Sequence, residues 1–202
     1  HRHMVHGMER ADSVTLDLHK WLHIPFEAAC VLVRDRRAHR EAFALTPEYL
    51  EKTERGLASG ALWFSEYGLQ LSRGFRALKV WLSIKEHGLD RFGRLIDRNI
   101  AQAHELAALV QAEPDLELLA PVATNIVCFR YNPGGLSDEQ LNALNEELLI
   151  RLHESGIAAP SYTTLDGRYC LRAAIVNYRT TSADLPVLVG AVREIGASLP
   201  QS

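Results

Sequence analysis

The residue with the clearest chemical potential in this sequence is a lysine between a histidine and a tryptophan, in the order His19-Lys20-Trp21. A lysine side chain normally stays in water, because burying its charge is costly. Where a lysine is desolvated, its pKa falls and the neutral amine becomes a nucleophile toward an aldehyde. Lys20 is therefore a candidate for covalent catalysis, and the alternative is an ordinary surface charge.

The residues around Lys20 predict a rigid support. Residues 13–17 alternate and include β-branched side chains, which predicts a short strand. Residues 28–33 are almost continuously apolar, which predicts a second strand buried on both faces. The charged run 34–37 then predicts a solvated turn. A reactive group held between two core strands is well fixed for chemistry.

Helical patterns follow an irregular stretch. Residues 46–65 show no period, so they form either a connecting loop or a functional segment. Apolar residues between 75 and 82 then share one face of a helix that Gly88 can end. Asp90 is the predicted cap of a longer helix that ends before Pro114.

The last part of the chain predicts a small α+β domain. Ser137 and Gln140 form a predicted capping box for a helix that Gly156 ends. Asp166-Gly167 is the predicted turn of a hairpin. The predicted strands are 125–130, 157–162 and 169–176, and the predicted helices are 137–153 and 183–198. The resulting order β-α-β-β-α is typical of an α+β domain.

Two arginines are candidates for binding a carboxylate. The planar guanidinium group can give a carboxylate two parallel hydrogen bonds. Arg172 lies in an otherwise apolar strand, so it needs a partner if it is buried. Arg73 precedes the first predicted helix. For both, a structural salt bridge is the alternative, and Arg76 and Lys79 are expected to be structural.

Composition narrows the class of protein. The chain has 202 residues, of which 47% are hydrophobic and 23% are charged, as in ordinary globular proteins. The net charge of -3 predicts no nucleic-acid partner. No apolar run approaches the roughly 20 residues of a membrane span. The histidines among the first six residues match no ligand pattern, so no metal site is predicted. The three cysteines predict buried free thiols and a cytoplasmic location.

Three segments carry a resemblance to a known family. Residues 11–22 resemble a signature that reads A-D-S, apolar residues, then D/N-x-H-K-W. Residues 71–81 are similar to an R-x-F-R-[AS]-L-K-x-W helix start, and residues 171–175 to a C-terminal L-R-x-x-[IL] strand. Together they resemble the C-terminal half of the group II amino acid decarboxylases, the aromatic-L-amino-acid and glutamate decarboxylase group, which depend on pyridoxal 5'-phosphate (PLP).

The resemblance implies an architecture. It is the α/β PLP fold type I, which is aspartate aminotransferase-like. Residues 1–70 would be the end of the PLP-binding large domain, with the Schiff-base lysine strand and a mobile loop. Residues 71–111 would be connecting long helices, and residues 112–202 the C-terminal small α+β domain.

The resemblance also implies a chemistry. Lys20 would hold PLP as an imine, and the cofactor ring would act as the electron sink when the α-carboxylate leaves as carbon dioxide. His19 would lie near the cofactor phosphate or ring, or would simply be a packed histidine. Arg73 and Arg172 would be substrate-binding candidates. The implied enzyme is a carboxy-lyase acting on an aromatic or acidic amino acid.

One departure from the family pattern concerns the reaction outcome. Many members carry a loop tyrosine that protonates the intermediate, whereas this chain has Trp63-Phe64 near that place. Neither side chain can donate a proton as a phenol can. Tyr49 and Tyr67 flank the loop without a clear match. The alternatives are therefore an aldehyde-forming or other carbon–carbon lyase reaction, or a non-catalytic remnant that serves dimerisation or another interaction.

A second departure concerns what precedes Lys20. In the family, the N-terminal half supplies most contacts to PLP, and 19 residues cannot contain such a domain. We therefore expect a longer parent chain or a complementary N-terminal half, and a homodimer. Taken alone, the chain is expected to bind PLP weakly or not at all and to be inactive.

Overall fold

The computed structural model describes residues 1–44, 54–56, 59 and 63–200. Their contacts divide the chain into two compact units, residues 1–88 and residues 89–202. Each unit is described by itself.

The first unit contains a two-stranded antiparallel sheet and two helices. Strand β1 (Ser13–Leu16) pairs with β2 (Cys30–Val33), with Ser13 opposite Val33 and Leu16 opposite Cys30. Helix α1 (Arg36–Phe43) follows β2 directly, and α2 (Arg76–His87) ends the unit. The described residues of this unit also form short 3-10 turns at Arg2–Val5, Met8–Arg10 and Phe64–Tyr67.

The structure corrects the expected burial of β2. Val31 and Leu32 are 52% and 58% exposed, so the strand is not buried on both faces. Within the described residues β2 has β1 as its one strand neighbour. Two paired strands cannot cover their own faces, and an apolar run does not show which element would cover it.

The charged run after β2 is also corrected, since it begins a helix and not a plain turn. The Asp35 carboxylate accepts hydrogen bonds from the main-chain N–H groups of Arg37 and Ala38, at 2.8 and 3.0 Å. These N–H groups have no partner within the helix, so an aspartate at this position stabilises the first turn of α1.

In the second unit the described residues form three helices and a four-stranded antiparallel sheet. Helix α3 (Leu89–Ala112) precedes β3 (Leu116–Leu118) and β4 (Ile126–Tyr131). Helix α4 (Asp138–Ser155), strands β5 (Ser161–Leu165) and β6 (Arg168–Ala174), and helix α5 (Asp184–Ser198) follow. The strand order is β3-β4-β6-β5. Fully buried side chains from the helices and the sheet form the core, among them Leu106, Phe129, Leu148, Leu171 and Val192.

Several predictions for this unit are confirmed. Ser137 and Gln140 form the capping box of α4, and Gly156 ends it in the left-handed conformation. Asp166 and Gly167 have φ angles of 50° and 77°, as the hairpin turn requires. Strand β5 begins at Ser161 and not at residue 157, because Pro160 has no N–H for a ladder.

Two further boundaries differ from the predictions. Helix α3 begins at Leu89, so Asp90 lies in its first turn and is not the cap. In the first turn its carboxylate still interacts favourably with the positive end of the helix dipole. Strand β3 was not predicted, because three residues show too little alternation to be recognised.

A close contact between α5 and β4 gives a prediction of stability. A Cβ atom added at Gly196 would lie 2.6 Å from the ring of Tyr131, whereas one added at Gly190 would meet nothing within 4 Å. We expect Gly196→Ala to lower the free energy of unfolding by about 2 kcal/mol. Gly190→Ala on the same helix should raise it by up to about 1 kcal/mol. Urea unfolding of both variants measures these free energies. Equal changes for the two variants would contradict the close packing of Gly196 against Tyr131.

Candidate cofactor-binding and active site

Lys20 lies in the turn between β1 and β2, four residues after the end of β1. Its Nζ atom donates a hydrogen bond to Asp17 Oδ2 at 2.5 Å, and its main-chain N–H donates to Asp17 O at 3.1 Å. The hydrogen bond from Lys20 holds the pKa of Asp17 below its usual value, so this carboxylate stays charged. The side chain of Lys20 is 68% exposed. The amine is therefore accessible and is oriented by a neighbouring acid.

His19 fixes the turn that carries Lys20. Its Nδ1 atom is 2.8 Å from the carbonyl oxygen and 3.1 Å from the nitrogen of Ala28, so either tautomer has a main-chain partner. The ring also meets Phe26 edge to face, with centroids 5.0 Å apart. A bond from Ile24 N–H to Leu18 O closes the turn further. These contacts are those of a packed histidine, and a role of His19 toward the cofactor stays a prediction.

An open cavity of about 800 Å³ lies beside this hairpin. Leu18 and Ala28 line it from the hairpin, Phe64 and Arg73 line it from the segment before α2, and Trp81 lines it from α2. The Arg73 guanidinium lies over the Phe64 ring, 5.3 Å from its centroid. Such a contact leaves the hydrogen-bond donors of the arginine available.

Arg76 is held by an acid from the hairpin. Its Nε atom donates to Glu27 Oε1 at 2.8 Å, and its Nη2 atom donates to the same oxygen. Arg76 in turn lowers the pKa of Glu27 by its hydrogen bonds and its charge. This ion pair agrees with a structural role for Arg76, and it ties the start of α2 to the lysine turn.

The structure describes Trp63 and Phe64 but not most of the loop before them. Phe64 begins the 3-10 turn Phe64–Tyr67 and is 64% exposed, whereas Trp63 is half-buried. Tyr67 accepts a hydrogen bond from Arg36 through its hydroxyl group. Tyr49 lies outside the described residues. The side chain beside Arg73 is thus phenylalanine, which carries no exchangeable proton.

Arg172 belongs to the second unit, on strand β6. It is half-buried, and its Nη1 atom is 3.4 Å from Ser161 Oγ. It lines a cavity of about 490 Å³ with Ser161, Asn177 and Thr180. Within the described part of the chain no carboxylate pairs with Arg172 or with Arg73. The structural salt bridge considered for both therefore has no acidic partner there.

Lys20, His19, Phe64 and Arg73 belong to the first unit, and Arg172 belongs to the other unit. Phe64 and Arg73 line the cavity beside the hairpin, whereas the lining residues from the hairpin include Leu18 and Ala28 but not His19 or Lys20. The sequence pattern did not predict the ion pair between Arg40 and Glu66, whose Nε and Oε2 atoms are 2.9 Å apart. These residues are 26 positions apart and share no local pattern.

The described residues contain no group of three or more histidine, cysteine or acidic side chains suited to a metal ion. None of the described helices is long and apolar enough to cross a membrane.

Comparison with known proteins identifies the family. Residues 1–132 match the sequence model described as the pyridoxal-dependent decarboxylase conserved domain. The chain is 39% identical over 183 residues to an aromatic-L-amino-acid decarboxylase of Bacillus atrophaeus, covering 90% of this chain and 38% of that protein. It is 31% identical over 175 residues to a phenylacetaldehyde synthase of Arabidopsis thaliana, covering 87% of this chain and 36% of that protein.

Solved structures agree with the sequence comparison. The crystal structure of Oryza sativa TDC with PLP and tryptamine superposes with a TM-score of 0.88 at 26% identity. The match covers 97% of this chain and 41% of that one. The chain therefore spans well under half the length of its relatives. The expected PLP fold type I is confirmed for the part that it spans.

The residues present fit this cofactor. PLP is an aldehyde, and Lys20 offers an accessible primary amine on a turn closed by main-chain hydrogen bonds. Arg73, which has no carboxylate partner among the described residues, lines the neighbouring cavity. Because the family model matches 132 of the 202 residues, and because the fold agrees, the chain belongs to the PLP-dependent decarboxylases.

Proposed function

We propose that this chain supplies the cofactor-binding lysine and the C-terminal domain of a decarboxylase that removes the α-carboxylate of an amino acid. The observation that carries the proposal is the exposed Lys20 amine, hydrogen-bonded to Asp17 on a closed turn. An aromatic substrate is favoured, because several of the most similar relatives are decarboxylases of aromatic amino acids.

In this proposal each side chain has a distinct task. Lys20 would hold PLP through its Nζ amine, and Asp17 orients that amine through the hydrogen bond to Nζ. His19 fixes the turn through Ala28. When bound, PLP supplies an electron sink for the electron pair left by the departing carboxylate. Arg172 and Arg73 are the candidates for holding the carboxylate of the substrate, since each has a guanidinium group without an acidic partner among the described residues.

The proposal includes the domain division and the assembly. Residues 1–70 form the end of the large domain, residues 71–111 the connecting helices and residues 112–202 the small domain. A homodimer, a complementary N-terminal half, or both would complete the site in the cytoplasm. Exposed apolar side chains in the first unit support such a covering partner, among them Val31, Leu32, Trp81 and Leu82, each more than half exposed.

A second candidate is an aldehyde-forming reaction at the same site, in which dioxygen from solution is the two-electron oxidant. The amino acid, dioxygen and water together give aldehyde, carbon dioxide, ammonia and hydrogen peroxide. The Phe64 ring lies under the Arg73 guanidinium, and the family resemblance implies a proton-donating phenol near this segment. A phenylacetaldehyde synthase is among the relatives, at 31% identity. Without a phenol at position 64, an amine is the less favoured product.

Product analysis of the full-length protein separates the candidates. The protein would be incubated with PLP and with L-phenylalanine, L-tyrosine, L-tryptophan or L-glutamate. Carbon dioxide with an amine indicates simple decarboxylation, whereas carbon dioxide with aldehyde, ammonia and peroxide indicates the second candidate. Folded, PLP-loaded protein that releases no carbon dioxide from any of the four would contradict both and favour a non-catalytic remnant.

The substitution Phe64→Tyr tests the assignment of the missing phenol. We expect the ratio of amine to aldehyde to rise by about tenfold or more, because general acid catalysis contributes on the order of 100-fold to proton transfer. Phe75→Tyr is the matched control, since Phe75 is also exposed, at 74%, and lies before α2. An equal change in the ratio of amine to aldehyde in both variants would show that the outcome does not depend on a phenol at position 64 in particular.

A further inference from the structure

The segment that carries Phe64 is fastened to helix α1 by a buried acid. Glu66 is 6% exposed and accepts two hydrogen bonds from Arg40, one from Nε at 2.9 Å and one from Nη2 at 3.0 Å. A two-point contact between a guanidinium group and a carboxylate fixes orientation as well as distance. The 3-10 turn Phe64–Tyr67 therefore has a defined position on α1.

Two neighbouring contacts strengthen this attachment. Arg36 donates from Nε to the hydroxyl oxygen of Tyr67 at 3.1 Å, and the ring of His39 meets the ring of Tyr67 at 5.3 Å, nearly perpendicular. Residues at spacings of three and four lie on one face of a helix, so positions 36, 39 and 40 form one surface of α1. We call this set of contacts from Arg36, His39 and Arg40 the α1 clamp.

The clamp determines where Phe64 lies. Phe64 is two residues before Glu66 in the same short turn, and its ring lies under the Arg73 guanidinium. The ring lines the same cavity as Leu18 and Ala28, which belong to the hairpin of Lys20. A displacement of the turn would therefore move the Phe64 ring within, or out of, the cavity beside that hairpin.

We propose that Arg40 and Glu66 are positioning residues that set the reaction outcome by holding Phe64 in this cavity. The inference rests on the proposed function, because it assumes a reaction whose products depend on this segment. It adds two residues that do not themselves line the cavity. Their effect acts through the turn, since a carboxylate at 6% exposure does not stay buried without its cation.

The first test measures products of the full-length protein with L-phenylalanine. Arg40→Met and Glu66→Gln should each change the ratio of amine to aldehyde, or kcat, by about fivefold or more, because small displacements near reacting groups have large rate effects. The double variant should change little beyond the larger single effect, because both substitutions break one contact. Arg40→Lys should give a partial effect, since lysine keeps the charge but not the planar fork.

Arg37→Met is the matched control on the same helix. Arg37 pairs with Glu41 at 2.8 Å, and these side chains are 89% and 64% exposed, so this ion pair is on the surface. An exposed pair contributes little, so products and kcat should stay within about twofold of wild type. Far-ultraviolet circular dichroism of each variant confirms that the fold is kept.

The second test does not depend on activity. In a Trp21→Phe, Trp81→Phe background, Trp63 is the one tryptophan left among these 202 residues and reports on the turn that follows it. Any tryptophan elsewhere in the full-length protein is replaced by phenylalanine as well. Acrylamide quenching of its fluorescence should rise about twofold on Arg40→Met, because a released side chain is reached more often by the quencher. Arg37→Met should leave the quenching unchanged.

The outcomes are decisive in combination. Increased quenching with an altered product ratio or kcat supports the inference. Increased quenching with unchanged products overturns it and leaves a purely structural ion pair, and unchanged quenching overturns it as well. A parent protein that releases no carbon dioxide would instead overturn the proposed function, and the quenching experiment would still decide whether Arg40 and Glu66 position the turn.

Discussion

Replacing Lys20 by arginine is expected to lower kcat of the full-length protein by about 1,000-fold or more, or roughly 4 kcal/mol of transition-state stabilisation. Arginine can keep the positive charge and the contact to Asp17 that the lysine makes at 2.5 Å. Its guanidinium group stays protonated, however, and cannot act as a nucleophile toward an aldehyde. Steady-state assays of carbon dioxide release with L-phenylalanine would measure the loss.

Lys85→Arg is the control for a general effect of removing an amine. Lys85 is an exposed residue of α2 whose Nζ atom lies 5.9 Å from the centre of the Trp81 ring, a contact that arginine can also make. The kcat of the Lys85→Arg variant should stay within about twofold of wild type. If Lys20→Arg kept more than a tenth of the wild-type kcat, Lys20 would not be the catalytic lysine.

Asn145→Leu is expected to lower the free energy of unfolding by about 3 kcal/mol. The side chain of Asn145 is fully buried, accepts a hydrogen bond from Tyr131 N–H, and donates to Tyr131 O and Leu141 O, each at 2.8 Å. Leucine has a similar volume but no polar atoms, so the N–H group of Tyr131 would lose this acceptor inside the core. Chemical unfolding followed by circular dichroism gives the difference.

Asn142→Leu on the same helix separates burial from hydrogen bonding. Asn142 donates to Gly167 O at 2.8 Å and accepts from Tyr169 N–H at 2.7 Å, but it is only half-buried. Water can replace part of these bonds, so the expected loss is about 1 kcal/mol. Equal losses for the two asparagines would contradict the account of a buried polar link between α4 and β4.

Local signals explain what the sequence could predict. Ser137 and Gln140 sit three residues apart at a helix start, and Asp166-Gly167 lies between two alternating runs, so short-range chemistry alone locates these features. The prediction for Lys20 rests on the same kind of signal, since His19-Lys20-Trp21 is a contiguous motif. The family and the PLP fold type I that the motifs implied are confirmed.

Features that depend on distant partners could not be predicted. An apolar run such as residues 28–33 predicts burial, but it does not show which elements cover the strand. In the structure Val31 and Leu32 of β2 are more than half exposed. The pairing of Arg40 with Glu66 joins residues 26 apart and follows from the path of the chain between them. By contrast, the cap at Asp35 was a local signal that the charge pattern around it obscured.

The most direct test of the central claim is to reduce the full-length protein with borohydride in the presence of PLP and to map the modified peptide by mass spectrometry. The account predicts one phosphopyridoxyl group, attached to Lys20 and absent from the Lys20→Arg variant. Modification at another lysine, or no modification of folded protein at saturating PLP, would contradict the assignment of Lys20 as the cofactor-binding residue.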